Sequence, residues 1–204
     1  MSAAALGFAP HSGWAVVVAV GLDGGRKGAP RVLYRGQVEM ADDALPGARQ
    51  PYHALEGLPL PEAERGLLRF QAAAARLARA GVKQVVAAVQ REGHTPRAAG
   101  ILDSSGRQGR SLAAILAAHP LIHTADGEHF RAALSLAAGA SGLTVARVAQ
   151  KELAPRAASA LRQPADALLA TAAALGKALG PPWKADHKAA SLLAWMLAAG
   201  QLRA

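Results

Sequence analysis

The sequence of 204 residues lacks cysteine entirely, which excludes disulfide bonds, thiolate metal centres and a cysteine nucleophile. Aromatic residues are also scarce, at 4% of the chain, although 51% of it is hydrophobic. Much of that apolar content is alanine. We therefore expect a core of closely packed, alanine-rich helices in place of bulky rings.

Long hydrophobic runs are missing as well. The longest nearly unbroken apolar stretch, 14–22, is far shorter than the ~20 residues that a membrane helix requires. No basic residue precedes the first apolar stretch, as one would in a secretory signal. We therefore predict a cytoplasmic protein without a membrane segment.

Acidic residues are outnumbered by basic ones, with 14 Asp and Glu against 23 Lys and Arg, a net charge of +9 and a pI near 10.8. Such an excess attracts polyanions through counterion release, so nucleic acid is the natural partner to consider. The alternative is compositional, because the basic residues are spread along the chain without a block of like charge. Charge alone leaves both explanations open.

Three short apolar runs open the chain. Turn-forming proline, glycine and aspartate residues separate them, which is typical of antiparallel strands joined as hairpins. We predict strands over 4–8, 13–20 and 31–40. A polar, proline-punctuated loop then covers 41–60.

The middle of the chain predicts a helix followed by a central strand. An amphipathic stripe begins at Pro61, and Gly81 is expected to end the helix. Residues 82–89 are predicted as a strand, and 85–89 within it are apolar without alternation, which indicates a strand covered on both faces. Residues 91–110 carry glycine, serine and arginine and are predicted as a loop.

The second half is mostly helical. We predict helical pieces over 111–118 and 126–138, a strand over 144–149, and closing helices near 151–161, 164–179 and 185–198. Hairpins followed by alternating helices and strands imply one mixed sheet with helices on both faces. The predicted fold class is α/β, and residues 1–204 are expected to form a single domain.

The opening segment 6–16, Leu-Gly-Phe-Ala-Pro-His-Ser-Gly-Trp-Ala-Val, resembles the first hairpin of RuvC-type Holliday-junction resolvases of the ribonuclease H-like superfamily. In that family an apolar-Gly-apolar strand ends in an aspartate, and a turn leads to a Gly-aromatic second strand. The closing order of strand, helix and a last helix starting at Ala185-Asp186 is similar too. The resemblance covers nearly the whole chain by topology and two short stretches by residue, and it implies a ribonuclease H-like fold.

A set of bacterial proteins of similar length, without an assigned activity, resembles the chain as well. They share the Pro-His-Ser-Gly-Trp start at 10–14, the block 121–128 and the Gly-Pro-Pro-Trp segment at 180–183. This resemblance adds no reaction.

The RuvC resemblance implies carboxylates that hold two divalent metal ions at the ends of the first and fourth strands and on the last helix. At the first of these positions the sequence has Ala9, and near the predicted end of the fourth strand it has Val89 or Gln90. On the last helix Asp186 is retained, but Ala189 replaces the second acid. The resemblance therefore implies a degenerate site that binds no metal pair.

Other acids are left open as substitutes. Asp23 is an alternative end of the first strand, and Glu92 or Asp103 are candidates to reach the site from the predicted loop. Asp186 itself has two interpretations of equal weight, a helix N-cap or a metal ligand.

Two clusters carry weaker signals. His119 and His123 are four residues apart, as in some zinc sites, but Pro120 lies between them and is expected to interrupt the helix. His119 also continues the apolar stripe of Leu112, Ile115 and Leu116, which favours its interpretation as a core histidine. Separately, the predicted loop carries four arginines that would grip phosphate if it covered the cleft, namely Arg91, Arg97, Arg107 and Arg110. A solvated loop is the slightly favoured alternative.

Three functions remain open. The first is a non-catalytic ribonuclease H-like domain that binds nucleic acid or a protein partner. The second is an active hydrolase or nuclease with a rebuilt site drawn from His11, Ser12, His123, Glu128 and Asp186. The third is an assembly subunit that dimerises through its alanine-rich final helices. We expect no cofactor, and a bound divalent metal is the less favoured alternative.

Overall fold

In the computed structural model, residues 2–25, 28–104 and 109–200 are described. Within these ranges, five strands and six α-helices follow one another: β1 Ser2–Pro10, β2 Trp14–Asp23, β3 Ala29–Glu39, α1 Leu60–Arg91, β4 His94–Asp103, α2 Leu112–Leu116, α3 His119–Ala140, β5 Thr144–Ala149, α4 Leu153–Leu161, α5 Ala165–Ala174 and α6 Ala185–Ala198. Short 3-10 helices lie at His53–Leu55 and Gln150–Glu152.

The strands form one mixed sheet in the order β3-β2-β1-β4-β5. The first three strands pair antiparallel, whereas β1 with β4 and β4 with β5 pair parallel. This confirms the predicted meander and the α/β class. The carboxyl ends of β1, β4 and β5 consequently meet at one edge of the sheet, which we call the carboxyl edge.

The two faces of the sheet pack against different helices. Alternate residues along β1 separate them, since Leu6 and Phe8 enter one buried cluster while Ala5 and Ala9 enter the other. The first cluster includes α1 and α3, and the second includes α4, α5 and α6. We call these sides the α3 face and the α6 face.

Two glycines allow α6 to lie directly on the sheet. A Cβ atom on Gly7 would be 2.0 Å from the carbonyl oxygen of Ala190, and one on Gly100 would be 2.4 Å from the Leu193 side chain. Because real Cβ contacts are not that short, only glycine fits at these places. The first turn of α6 is thereby held close to the carboxyl edge.

The prediction that Gly81 ends a helix and that 82–89 is a strand is wrong. Helix α1 continues unbroken from Leu60 to Arg91. Its buried residues Val82, Val85 and Val89 follow helical spacing. Gly81 serves packing instead, because a Cβ there would be 2.6 Å from the Val38 side chain on β3.

The true fourth strand, β4, occupies half of the segment predicted as a loop. Pro96, Arg97 and Gly100 interrupt the apolar run by which a buried strand is recognised in a sequence. Ala4 and Ala5 of β1 pair with Pro96 and Ala98 in turn, so Arg97 is the extra residue of a bulge, where proline is tolerated.

The closing strand and helices α4 and α6 agree closely with prediction, whereas α5 ends at Ala174 and not at the predicted 179, and α3 starts at His119, well before the predicted 126. Helix α6 is buried along most of its length. Of the final helices, only α4 and α5 therefore retain exposed faces of the kind that a dimer requires. Within the described ranges, no helix has both the length and the apolar character to cross a membrane.

Candidate functional site at the carboxyl edge of the sheet

On the α6 face, the last residues of β1 and β4 are apolar. Phe8 and Ile101 are the final paired residues of the two strands, so Ala9 and Leu102 lie side by side one position further. Both are buried in the α6-face cluster, at 4% and 3% exposure. Ala189, three residues after Asp186 on α6, packs against the same cluster.

His11 and Asp186 connect the β1–β2 turn to α6. His11 Nε2 lies 3.1 Å from Asp186 Oδ2, and its ring stacks on Trp14 with a centroid distance of 4.2 Å. The turn itself is closed by a hydrogen bond from His11 N to the Trp14 carbonyl and by Gly13 at a φ of 89°. Asp186 lies in the first turn of α6 and therefore joins that helix to the β1–β2 turn.

The loop that precedes α6 is fixed by two side chains. Arg35 donates from Nη1 to the carbonyl oxygens of Gly180 and Pro182, at 2.7 and 2.9 Å. Trp183 donates from Nε1 to the Ala172 carbonyl at 2.9 Å. These contacts set the position from which α6 begins.

Cationic groups surround the start of α6. Lys184 is exposed immediately before the helix, and Lys188 lies one turn further. His187 accepts a hydrogen bond from Lys184 N, and its pKa is lowered by burial and by the nearby charges of Arg35 and Lys184. His187 is therefore neutral at physiological pH, and the permanent charges here are mostly positive.

The α3 face of the same edge holds a dense ion network. Arg147 on β5 donates to both carboxylate oxygens of Glu128 at 2.6 and 2.5 Å, and to Asp103 at 3.0 and 2.9 Å. Arg131 lies 3.7 Å from Asp103. The hydrogen bonds with Glu128 and Asp103 raise the pKa of Arg147, so its guanidinium remains charged.

Strand parity assigns Asp103 to this face. Ala99 and Ile101 belong to the α3-face cluster and Leu102 to the other, so Asp103 continues the alternation on the α3 side. Asp103 is thus the acid at the end of the fourth strand, but it points away from Ala9 and is held by Arg147.

Further out on the α3 face, three histidines meet. One nitrogen from each of His53, His119 and His123 lies within 4.8 Å of the other two. His53 Nδ1 also contacts Asp126, a buried carboxylate that accepts a hydrogen bond from Tyr52 N at 2.7 Å. Burial raises the pKa of Asp126, while the hydrogen bonds from His53 and Tyr52 oppose that rise.

A cavity of about 540 Å³ lies between α1, α2 and α3 beside these histidines. Its wall is largely apolar, and Tyr52, Arg110, Glu128 and His129 contribute polar groups. Burial lowers the pKa of His129 to about 4, so this imidazole is neutral. No local sequence signal marks this cavity, because its lining comes from separate helices and from Gly109 and Arg110 just before α2.

Several sequence predictions of site residues need correction. Val89 lies inside α1 and Gln90 follows it, so neither ends a strand. Asp23 ends β2, which runs antiparallel to β1, and Glu92 follows α1 just before β4 begins. Both acids therefore lie at the opposite end of the sheet from Asp186, whereas Ala9 lies near the end of β1 at the carboxyl edge.

The four arginines predicted to share one loop do not do so. Arg91 ends α1, Arg97 is in the β4 bulge, and Arg110 borders the cavity before α2. Arg107 lies outside the described residues. The first two are at the end of the sheet opposite Asp186.

The residues proposed for a rebuilt hydrolase site lie in three separate sets of contacts. His11 pairs with Asp186 on the α6 face, and Ser12 is exposed in the adjoining turn. Glu128 binds Arg147 on the α3 face. His123 contacts His53 and His119.

Comparison with known proteins shows the fold. No family model and no curated protein matches the sequence. Among solved structures, RuvC from Thermus thermophilus matches with a TM-score of 0.53 at 15% identity, covering 96% of this chain and 93% of that one. T. thermophilus RuvC in complex with Holliday junction substrate matches with a TM-score of 0.51 at 14% identity, covering 96% and 92%. The chain therefore has the RuvC-like, ribonuclease H-like fold.

Proposed function

We propose that this protein binds nucleic acid at the carboxyl edge of its sheet and does not cleave it by two-metal catalysis. The observation that carries the proposal is the pair Ala9 and Leu102, which occupies the ends of β1 and β4 on the face where the RuvC resemblance implies acids. Two-metal catalysis needs several carboxylates around both ions. With Ala189 on α6, Asp186 is the one acid at these four positions.

Neighbouring acids are poor replacements. Asp103 faces the other side of the sheet, and Arg147 contacts both of its oxygens. Moving it would leave charges partly buried without their partners, which is costly. Asp186 is itself paired with His11.

The same edge suits phosphate. Arg35, Lys184 and Lys188 lie at or near the start of α6, and the whole chain carries a net charge of +9. Lysine and arginine bind nucleic acid by neutralising phosphates and releasing counterions. RuvC from T. thermophilus has been solved with a Holliday junction, so a four-way junction is the first ligand to test.

Binding is tested by fluorescence anisotropy with a four-way junction, a duplex and a single strand at several salt concentrations. We expect affinity to fall linearly with salt on a log–log plot. The double variant Lys184→Ala, Lys188→Ala should lower the slope by about 2, close to one per lost phosphate contact. The double variant Arg79→Ala, Lys83→Ala, which removes two exposed cations on α1, is the matched control and should bind like the parent.

The absence of two-metal cleavage is tested with the same substrates in Mg²⁺ or Mn²⁺. We expect intact DNA after prolonged incubation. Cleavage that disappears in Asp186→Asn would instead support the alternative, an active hydrolase with a rebuilt site. No binding to any nucleic acid at low salt would contradict the proposal and favour a protein partner or an assembly role, which light scattering of the purified chain would examine.

A further inference from the structure

We propose that His53, His119 and His123 bind a divalent transition-metal ion, preferably zinc, on the α3 face of the protein. This site goes beyond the proposed function and does not depend on it. It uses imidazole nitrogens in place of carboxylates, and it lies on the side of the sheet opposite Asp186.

The ligands come from two rigid elements. His53 begins the 3-10 helix His53–Leu55, and His119 and His123 lie on the first two turns of α3. Spacing of four residues places two histidines on one side of a helix. Pro120 does not interrupt α3, because it falls in the first turn, where proline needs no hydrogen-bond partner.

The three rings are close enough to share one ion. Their centroids lie 4.5 to 5.3 Å apart, and one nitrogen of each is within 4.8 Å of the others. Zinc binds histidine at ~2.0–2.1 Å, which separates ligand nitrogens by roughly 3.3 Å in a tetrahedral site. Small side-chain rotations therefore suffice to close the site, and His119 and His123 are exposed enough to make them.

Carboxylates orient two of the imidazoles. Asp126 contacts Nδ1 of His53, which leaves Nε2 of that ring available to a metal ion. Glu56 Oε1 lies 3.4 Å from Nδ1 of His119. Metal-binding histidines commonly donate their second nitrogen to a carboxylate, which fixes the tautomer and the ring direction. Asp126 is buried and also held by Tyr52 N, so this orientation is rigid.

Ligand type selects the metal. Imidazole favours Zn²⁺, Cu²⁺ and Ni²⁺ over Mg²⁺ or Ca²⁺, which prefer oxygen ligands. With three protein ligands and an exposed side, the fourth position is left to water.

The test is isothermal titration calorimetry of the metal-free, full-length protein with zinc sulfate, supported by the visible absorption of bound Co²⁺. We expect one ion per chain and Co²⁺ bands typical of nitrogen ligands. The double variant His119→Asn, His123→Asn changes two exposed residues and should fold normally by circular dichroism while losing the site. Asp126→Asn should weaken zinc binding by about 10–100-fold, as loss of an orienting carboxylate does.

His11→Asn is the matched control, since it removes another histidine that contacts a carboxylate. It should bind zinc like the parent. Equal affinity of the parent and the double variant, or a stoichiometry well below one, would overturn the site and leave Asp126–His53 as a structural pair that joins the 3-10 helix to α3.

Discussion

The two faces of the sheet differ in how they fill the carboxyl edge. On the α6 face the contacts are small and apolar: Gly7 and Gly100 admit the helix, and Ala9 and Leu102 end the strands. On the α3 face the same strand ends meet partly buried charges, centred on Arg147. The RuvC resemblance implies acids on the α6 face. In this chain the acids at the same edge, Asp103 and Glu128, lie on the α3 face and are paired with Arg147.

One residue of sequence makes this difference. Leu102 and Asp103 are neighbours, and the two-residue period of a strand sends them to opposite faces. An acid at the end of the fourth strand is therefore insufficient evidence of a catalytic site. An acid on the same face of the sheet as Ala9 would belong to the candidate site on the α6 face. An acid on the other face, such as Asp103, belongs to the ion network around Arg147.

The largest expected effect comes from breaking the α3-face network. Arg147→Met removes the cation that pairs with the partly buried carboxylates of Asp103 and Glu128, and Arg131 is the remaining nearby cation. We expect the free energy of unfolding to fall by about 3–5 kcal/mol. Urea unfolding followed by circular dichroism at pH 7 measures it.

A triple variant separates lost charge pairing from lost packing. Combining Arg147→Met with Asp103→Asn and Glu128→Gln removes the unpaired charges, so most of the stability should return. A single Arg147→Met variant as stable as the parent would show that the network contributes little, and the contrast between the faces would then be one of shape alone.

The next largest effect is the pH dependence of the free energy of unfolding that buried His129, on the α3 face, is expected to cause. Its pKa is about 4 in the folded protein against 6.5 for a free histidine, because burial disfavours the charged ring. Between these values the unfolded chain binds the proton more readily, so stability is lost as the pH falls from 6.5 towards 4. The loss should approach about 3 kcal/mol at the lower end.

His129→Gln tests this with a side chain that stays neutral. Urea unfolding of the parent and the variant at several pH values between 7.5 and 4 gives the difference. We expect the parent to lose more stability than the variant across that window. Parallel curves would show that His129 titrates normally and is not desolvated.

The sequence predicted the fold better than the site, for physical reasons. The N-terminal meander has strong turn signals, and the strand Thr144–Ala149 was predicted at its observed bounds. The segment 82–89 was mistaken for a strand because valine favours strands, although its buried residues also follow helical spacing. That error displaced the fourth strand and, with it, the acid position from Leu102 to Val89.

The candidate site was harder to predict because it is formed by contacts between residues that are far apart in the sequence. Asp186 and Ala9 were found because the resemblance marks them, but the His11–Asp186 pair joins residues 175 positions apart. Asp126 and His53 were missed for the same reason, since they are 73 positions apart. One local signal was available: proline is common in the first turn of a helix, which would have kept His119 and His123 on one helix.

Replacing one glycine with alanine on each side of the sheet tests how closely the helices pack there. Gly7→Ala on the α6 face places a Cβ against the Ala190 carbonyl and should destabilise the protein by about 1–3 kcal/mol. Gly139→Ala in α3 meets no atom within 4 Å, and it should stabilise the protein by about 0.5–1 kcal/mol, because alanine favours helices. Thermal unfolding of both variants measures the pair, and a neutral Gly7→Ala would show that α6 is free to shift away from the sheet.

The smallest effect is expected from Asp186→Asn. The His11 and Asp186 side chains are 39% and 37% exposed, and exposed ion pairs contribute less than about 1 kcal/mol. Unfolding in low and high salt should show a small difference that screening reduces further. A loss as large as that of Arg147→Met would mean that Asp186 is a structural residue, and its retention would then have no bearing on ligand binding.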